Sequence, residues 1–163
     1  MKKIWIFILF LILLNSCTEV IVEPIYFDYF KNFNFNDPVF YNELAIVYWI
    51  YNNITYKSET DKKEFYQPPN YTLSKKSGDC EDFVILFLAI LYYQFDIKGN
   101  FMIVDTGKKE KHAVALVRNM VYDPTCGSIT TYTKYTHKYP VMKIIHYDDI
   151  SVYASENYKN IEN

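Results

Sequence analysis

Ser77-Gly78-Asp79-Cys80-Glu81-Asp82-Phe83-Val84-Ile85-Leu86-Phe87-Leu88-Ala89-Ile90-Leu91 is the stretch on which the fold turns. Ser77, Gly78 and Asp79 read as a turn. Beyond it, Phe83, Val84, Leu86, Phe87, Ile90, Leu91 and Tyr93 occupy most sides of a helical projection. A helix that is apolar all round is a buried one. Asp79, Glu81 and Asp82 mark its start, because carboxylates are favoured by the free N–H groups and partial positive charge of a helix N-terminus. A cysteine, Cys80, therefore stands where a buried helix begins.

Working upstream, Pro68-Pro69 breaks any longer helix, Tyr71–Lys76 is a short turn or helical segment, and Lys57–Glu64 is a charged loop. Asp37-Pro38 has the form of a helix start, with Asp as cap and Pro in the first turn. Phe40, Leu44, Val47, Trp49 and Tyr51 extend that helix to about Asn53. Downstream, Phe101–Val104, His112–Arg118, Met120–Tyr122 and Val141–Tyr147 read as strands, with turns at Gly107–Lys111 and Asn119. The Tyr-rich stretch Tyr132–Tyr139 reads as packing or surface loop, and the chain from Asp148 onward as a polar tail that frays. Helices first and strands later predict an α+β domain with an antiparallel sheet.

The N-terminus reads separately. Lys2 and Lys3 precede Ile4–Leu14, an unbroken apolar run of 11 residues. That is too short for a stable bilayer span and suits the core of a signal peptide. Leu14-Asn15-Ser16-Cys17 then matches the bacterial lipobox, in which the cysteine thiol takes a diacylglyceryl group and becomes the mature N-terminus. The expected organisation is a lipoprotein signal peptide over 1–16, a lipid-anchored tether over 17–38, a domain over 39–150 and a polar tail over 151–163. The place implied is the cell envelope, outside the cytoplasm, with the membrane as partner through lipid on Cys17. Aromatics in the tether (Tyr26, Phe27, Tyr29, Phe30, Phe33, Phe35) are too many to stay solvated, so it is expected to dock on the domain. Removing residues 1–16 takes away two lysines and no acid, moving the formal charge from −2 to −4. With no basic stripe, a nucleic-acid partner is not expected.

Of the three cysteines, Cys17 is assigned to lipid, leaving Cys80 and Cys126. Outside the cytoplasm these two could pair, or Cys80 could be a nucleophile beside a bystander Cys126. A thiol nucleophile needs its pKa lowered, and a helix N-terminus supplies positive potential. It also needs a base, usually His, and a group that orients the base. His112 opens one expected strand and Asp123 closes the next. The hairpin at Arg118-Asn119 would bring both to the same end of the sheet. His137 and His146 have no partner at metal-ligand spacing and read as surface residues.

Ser77-Gly78-Asp79-Cys80-Glu81-Asp82, His112-Ala113 and Tyr122-Asp123-Pro124-Thr125, preceded by Ile54-Thr55-Tyr56, Tyr66-Gln67-Pro68 and Thr72-Leu73, resemble the transglutaminase-like superfamily, and most of all its bacterial cysteine-peptidase branch. The resemblance runs from about Glu43 to Thr125. It implies a papain-like core in which Cys80 attacks, His112 serves as base and then acid, and Asp123 orients the imidazole. It implies an oxyanion held by the Cys80 backbone N–H and one side-chain donor, from Gln67 or Tyr66. The activity implied is an exported, lipid-anchored cysteine hydrolase or acyltransferase acting on protein or peptide amides through a thioester on Cys80. The alternative is a catalytically silent transglutaminase-like binding module at the cell surface. No cofactor is expected. Some members of that branch bind calcium through carboxylates near the nucleophile, which makes Asp79, Glu81 and Asp82 alternative ligands beside their helix-capping role. Those three alone supply too few oxygens for that ion.

Overall fold

The computed structural model describes residues 29–30, 32–58, 66–108 and 110–159, the side chains as far as Glu156. The signal-peptide reading and Cys17 fall outside these residues. Among the described residues no helix is long and apolar enough to cross a membrane.

The first helix, α1 (Glu43–Asn53), begins later than Asp37-Pro38 suggested. Asn42 supplies the cap, its side-chain oxygen accepting the Ala45 N–H at 2.9 Å. A short side-chain acceptor immediately before the run satisfies an amide that the helix itself leaves unpaired. The segment ahead of α1 packs down as its aromatic content anticipates. Tyr29, Phe33 and Phe35 are buried in the core, and Phe35 meets the edge of Trp49 with centroids 5.2 Å apart.

After α1, β1 (Thr55–Tyr56) runs parallel to β2 (Ser77–Gly78), so the expected turn at residue 77 carries a two-residue strand. Between them α2 (Pro69–Lys75) ends at Lys76, whose φ of 52° reverses the chain into β2. The apolar helix α3 (Cys80–Phe95) follows directly, and Phe83 to Leu91 are all buried.

Five antiparallel strands complete the fold: β3 (Asn100–Val104), β4 (His112–Val117), β5 (Met120–Asp123), β6 (Ser128–Thr131) and β7 (Val141–Ile145), in the order β6-β5-β4-β3-β7. The α+β expectation holds. Residues on β4 alternate between two cores, as a two-residue repeat requires. Ala113, Ala115 and Val117 belong to the cluster with α3, while Val114 and Leu116 join Met102, Val104, Val121 and Tyr135 on the other face. The small side chains at 113 and 115 let α3 approach the sheet closely. Farther along, Phe87 stacks on Tyr122 at 5.2 Å.

Two C-terminal expectations are corrected. The Tyr-rich stretch is helix α4 (Tyr132–Lys138), capped by Thr131, and Tyr135 is buried against the sheet face opposite α3. Beyond β7, α5 (Ile150–Lys159) replaces the fraying tail. Ile150 and Ala154 are buried, one helical turn apart on one face. Two small apolar contacts in a polar sequence seat the helix, and Ser151 Oγ accepts the Tyr29 N–H at 3.0 Å.

Candidate active site

His112 is the first residue of β4 and pairs with Val104 of β3. Asp123 is the last residue of β5. The β4–β5 register (Ala115 with Tyr122, Val117 with Met120) folds the hairpin about Arg118 and Asn119, with Arg118 at φ 55°. Both side chains thus reach the same end of the sheet, and His112 Nε2 lies 2.8 Å from Asp123 Oδ2. With Nε2 facing the carboxylate, Nδ1 is the nitrogen left for a reacting group.

Asp123 is itself held from the far side. Its Oδ1 accepts the Thr125 backbone N–H at 3.1 Å and the Thr125 hydroxyl at 2.5 Å. Burial raises its pKa, but the hydrogen bond and charge of His112, with the Thr125 hydroxyl, outweigh burial and hold the carboxyl below its ordinary range. It is therefore a carboxylate at neutral pH, able to fix the ring and to stabilise an imidazolium.

Cys80 stands at the first position of α3 and is 8 % exposed. The Ala113 backbone N–H bonds its sulfur, which sets the thiol beside the residue that follows His112. The thiol proton is donated to Glu81 Oε2 at 2.8 Å. The expected lowering of the thiol pKa is reversed here. Burial pushes it far up, and the charge and hydrogen bond of Glu81 push it further, against the opposing Ala113 amide. Desolvation of a thiolate next to two acids exceeds what a helix N-terminus supplies. At rest Cys80 is a neutral thiol. Cys80 and Cys126 are both free, so the disulfide alternative is not the folded state.

Gln67 and Tyr66 part company in the fold. The Tyr66 ring packs edge-on to Tyr153 (5.8 Å) and near Phe101 (6.1 Å), in the core. Gln67 is also buried, and its Oε1 has no hydrogen-bond partner among the described residues. Its backbone N–H donates to Asp82 Oδ1 at 2.7 Å.

Two of the three carboxylates weighed as calcium ligands, Glu81 and Asp82, accept hydrogen bonds within the chain. Asp82 is fully buried, and its Oδ2 accepts the Asp79 N–H at 3.2 Å within a reciprocal capping box formed with Asp79. Glu81 Oε2 accepts the Cys80 S–H. Among the described residues no group of three or more His, Cys, Asp or Glu is placed to hold a metal ion.

Several neighbours were not singled out by sequence. Thr125 does carry a signal, since an Asp two residues ahead of it is a common side-chain turn. Tyr135 lies within electrostatic reach of Asp123, Cys126 and Cys80, and burial raises its pKa first. Nothing in the sequence distinguishes it from Tyr132, Thr133, Thr136 and Tyr139 in the same stretch. Tyr56, on β1, is half exposed, and its pKa is pushed up to about 12 by burial and then by Cys80, Asp79, Glu81 and Glu110.

The architecture is α+β: a cysteine opens a buried helix set against an antiparallel sheet whose strand ends carry a paired His and Asp. Residues 31–93 match the family model of the transglutaminase-like superfamily. The match contains Cys80 and stops short of His112 and Asp123. Among solved structures, LapG of Legionella pneumophila is similar at 14 % identity, over 74 % of this chain and 77 % of that one, with a TM-score of 0.55. Its calcium-bound form is similar at 13 % identity, over 74 % and 79 %, with the same TM-score of 0.55. At this identity the likeness is one of fold. No curated protein is significantly similar to the chain in sequence.

Proposed function

We propose that the protein is a cysteine hydrolase or acyltransferase that acts on protein or peptide amides. The observation that carries this reading is the His112–Asp123 pair at 2.8 Å, one residue from the Ala113 amide that bonds the Cys80 sulfur.

Because the resting thiol is neutral, the proposed reaction uses general-base attack rather than a preformed ion pair. The thiol turns from Glu81, and its proton passes to His112 Nδ1 as sulfur bonds to the substrate carbonyl carbon. The carbonyl oxygen becomes an oxyanion, received by the Cys80 N–H at the start of α3 and by the Gln67 side-chain amide. Collapse breaks the C–N bond, and His112 returns the proton to the departing amine. The remaining thioester is then cleaved by water, giving a carboxylic acid, or by an amine, giving a new amide. Either way the proton returns to sulfur through His112. In this proposal Cys80, His112 and Asp123 carry these steps without a resident cofactor.

The lipobox supports a second part of the proposal: Cys17 is the lipidated N-terminus of an envelope protein, so the substrate is met at a membrane surface. Mass spectrometry of the N-terminal peptide tests it, and an intact leader with a free Cys17 thiol contradicts it.

One contact favours the silent-module reading, namely the hydrogen bond that gives the Cys80 proton to Glu81. A panel of peptide amides with and without an added primary amine, followed by intact mass, separates the readings. Acyl transfer predicts a thioester on Cys80, drained faster by the amine if the protein is an acyltransferase. A silent module forms no adduct, and Cys80→Ala leaves its cellular role intact.

A further inference from the structure

We infer that Asp82 is a positioning residue for acyl transfer, clamping the segment that carries Gln67 to the start of the Cys80 helix. The inference rests on the proposed acyl-transfer reading.

Capping α3 requires one oxygen of Asp82. Oδ2 does that work, accepting the Asp79 N–H at 3.2 Å. Oδ1 reaches a different part of the chain, the Gln67 N–H, at 2.7 Å. A cap has no use for that second bond. A single fully buried carboxylate therefore joins the residue preceding Cys80 to a residue 15 positions upstream of Asp82. Burying a carboxylate is costly unless its oxygens are bonded, and here both take backbone amides at a helix N-terminus, where a negative charge is favoured.

Gly78 shows how closely the clamp is seated. A Cβ there would lie 2.6 Å from both Asp82 Cβ and Oδ2, so the carboxylate closes over a backbone that has no side chain. The two groups assigned to the oxyanion are the Cys80 N–H and the Gln67 amide. Each follows within one residue, or sits on the residue, whose backbone N–H bonds Asp82. The carboxylate sets their separation. Gln67 Oε1 is buried without a hydrogen-bond partner among the described residues, and the backbone of Gln67 is held by Asp82.

Two reactions of Cys80 on the full-length chain test the assignment. Iodoacetamide alkylates sulfur by displacing iodide and forms no oxyanion. p-Nitrophenyl acetate acylates sulfur through a tetrahedral oxyanion and releases p-nitrophenolate. Asp82→Asn keeps the shape and removes one acceptor. It is expected to leave Cys80 alkylation unchanged and to lower acylation by about 10²-fold, the scale of losing one oxyanion donor. Gln67→Ala is expected to do the same, and the double variant to fall no further than Gln67→Ala alone. If Asp82→Asn fails to fold, Asp82→Glu, which keeps the charge and moves it by one methylene, carries the same comparison. Full acylation in the Asp82 variant overturns the assignment, and so does an equal fall in both reactions, which marks a purely structural role. A wild-type chain that alkylates at Cys80 and never acylates overturns the acyl-transfer reading and this inference with it.

Discussion

The Cys80 thiol gives its hydrogen bond to Glu81 Oε2, at 2.8 Å, while the Ala113 amide beside His112 bonds the same sulfur. The Cys80 thiol thus sits between the Glu81 carboxylate, which accepts its S–H, and the sheet end that carries His112. Replacing the carboxylate separates the two influences. Glu81→Gln removes the charge that ranks next after burial in raising the thiol pKa. The half-point of Cys80 alkylation is expected to move to lower pH, each unit being worth about tenfold in thiolate at a given pH. The check is iodoacetamide labelling at several pH values, mapped by mass spectrometry so that Cys126 is counted apart. A half-point unmoved from wild type contradicts the contact.

Asp123 fixes the imidazole through Oδ2 and is held in turn by Thr125 through Oδ1. Asp123→Asn keeps the shape but allows the wrong tautomer of His112, and turnover of an activated ester is expected to fall by about 10³–10⁴-fold. Thr125→Val removes one donor to a buried carboxylate and should cost about 1–3 kcal/mol in stability, with a smaller kinetic effect. Activity equal to wild type in Asp123→Asn excludes the orienting role.

These two residues also show what sequence can and cannot deliver. His112 and Asp123 were legible because the strand-turn-strand pattern counts residues, and counting places them at one sheet end. The helix under Cys80 was legible because it is apolar all round. Glu81 was read as a helix-start acid, since nothing in the order of residues says which way a carboxylate turns. The thiol pKa was misjudged for the same reason: burial is the largest influence on it, and burial is a property of the packed domain. Tyr132–Lys138 and Ile150–Lys159 do not show as helices in the sequence because, among the described side chains, each buries only one or two, too few to create a period. The start of α1 was misplaced because Asp37 and Asn42 are both plausible caps, and only the docked aromatics decide between them.

pH separates two groups by stability. The Cys80 pKa is raised on folding, so the native state keeps a proton that the unfolded chain releases above ~8.5. Stability from this group is complete below that pH and is lost as pH rises toward the folded value. Between ~8.5 and ~10, before tyrosines titrate in the unfolded chain, wild type should lose denaturation midpoint and Cys80→Ala should lose less. Asp123 has the opposite sign. Its pKa is lowered, so its contribution is complete above ~3.9 and disappears as pH falls through the folded value. Parallel alkaline slopes for wild type and Cys80→Ala contradict the burial of a neutral thiol.

Gly78 leaves no room for a side chain over Asp82, since an added Cβ would stand 2.6 Å from the Asp82 Cβ. Gly78→Ala is expected to cost about 1–3 kcal/mol, as overpacking generally does, and urea denaturation reads it directly. An unchanged midpoint means that the start of α3 is looser than the close approach implies.

Acyl transfer requires that Cys80 form a covalent acyl intermediate with the help of His112. Intact mass after a brief reaction with p-nitrophenyl acetate, with the modified peptide sequenced, tests it most directly. The account predicts one acetyl group on Cys80, its formation slowed by about 10²–10⁴-fold in His112→Ala and absent in Cys80→Ala. Acetylation confined to Cys126, or equally fast in wild type and His112→Ala, contradicts it.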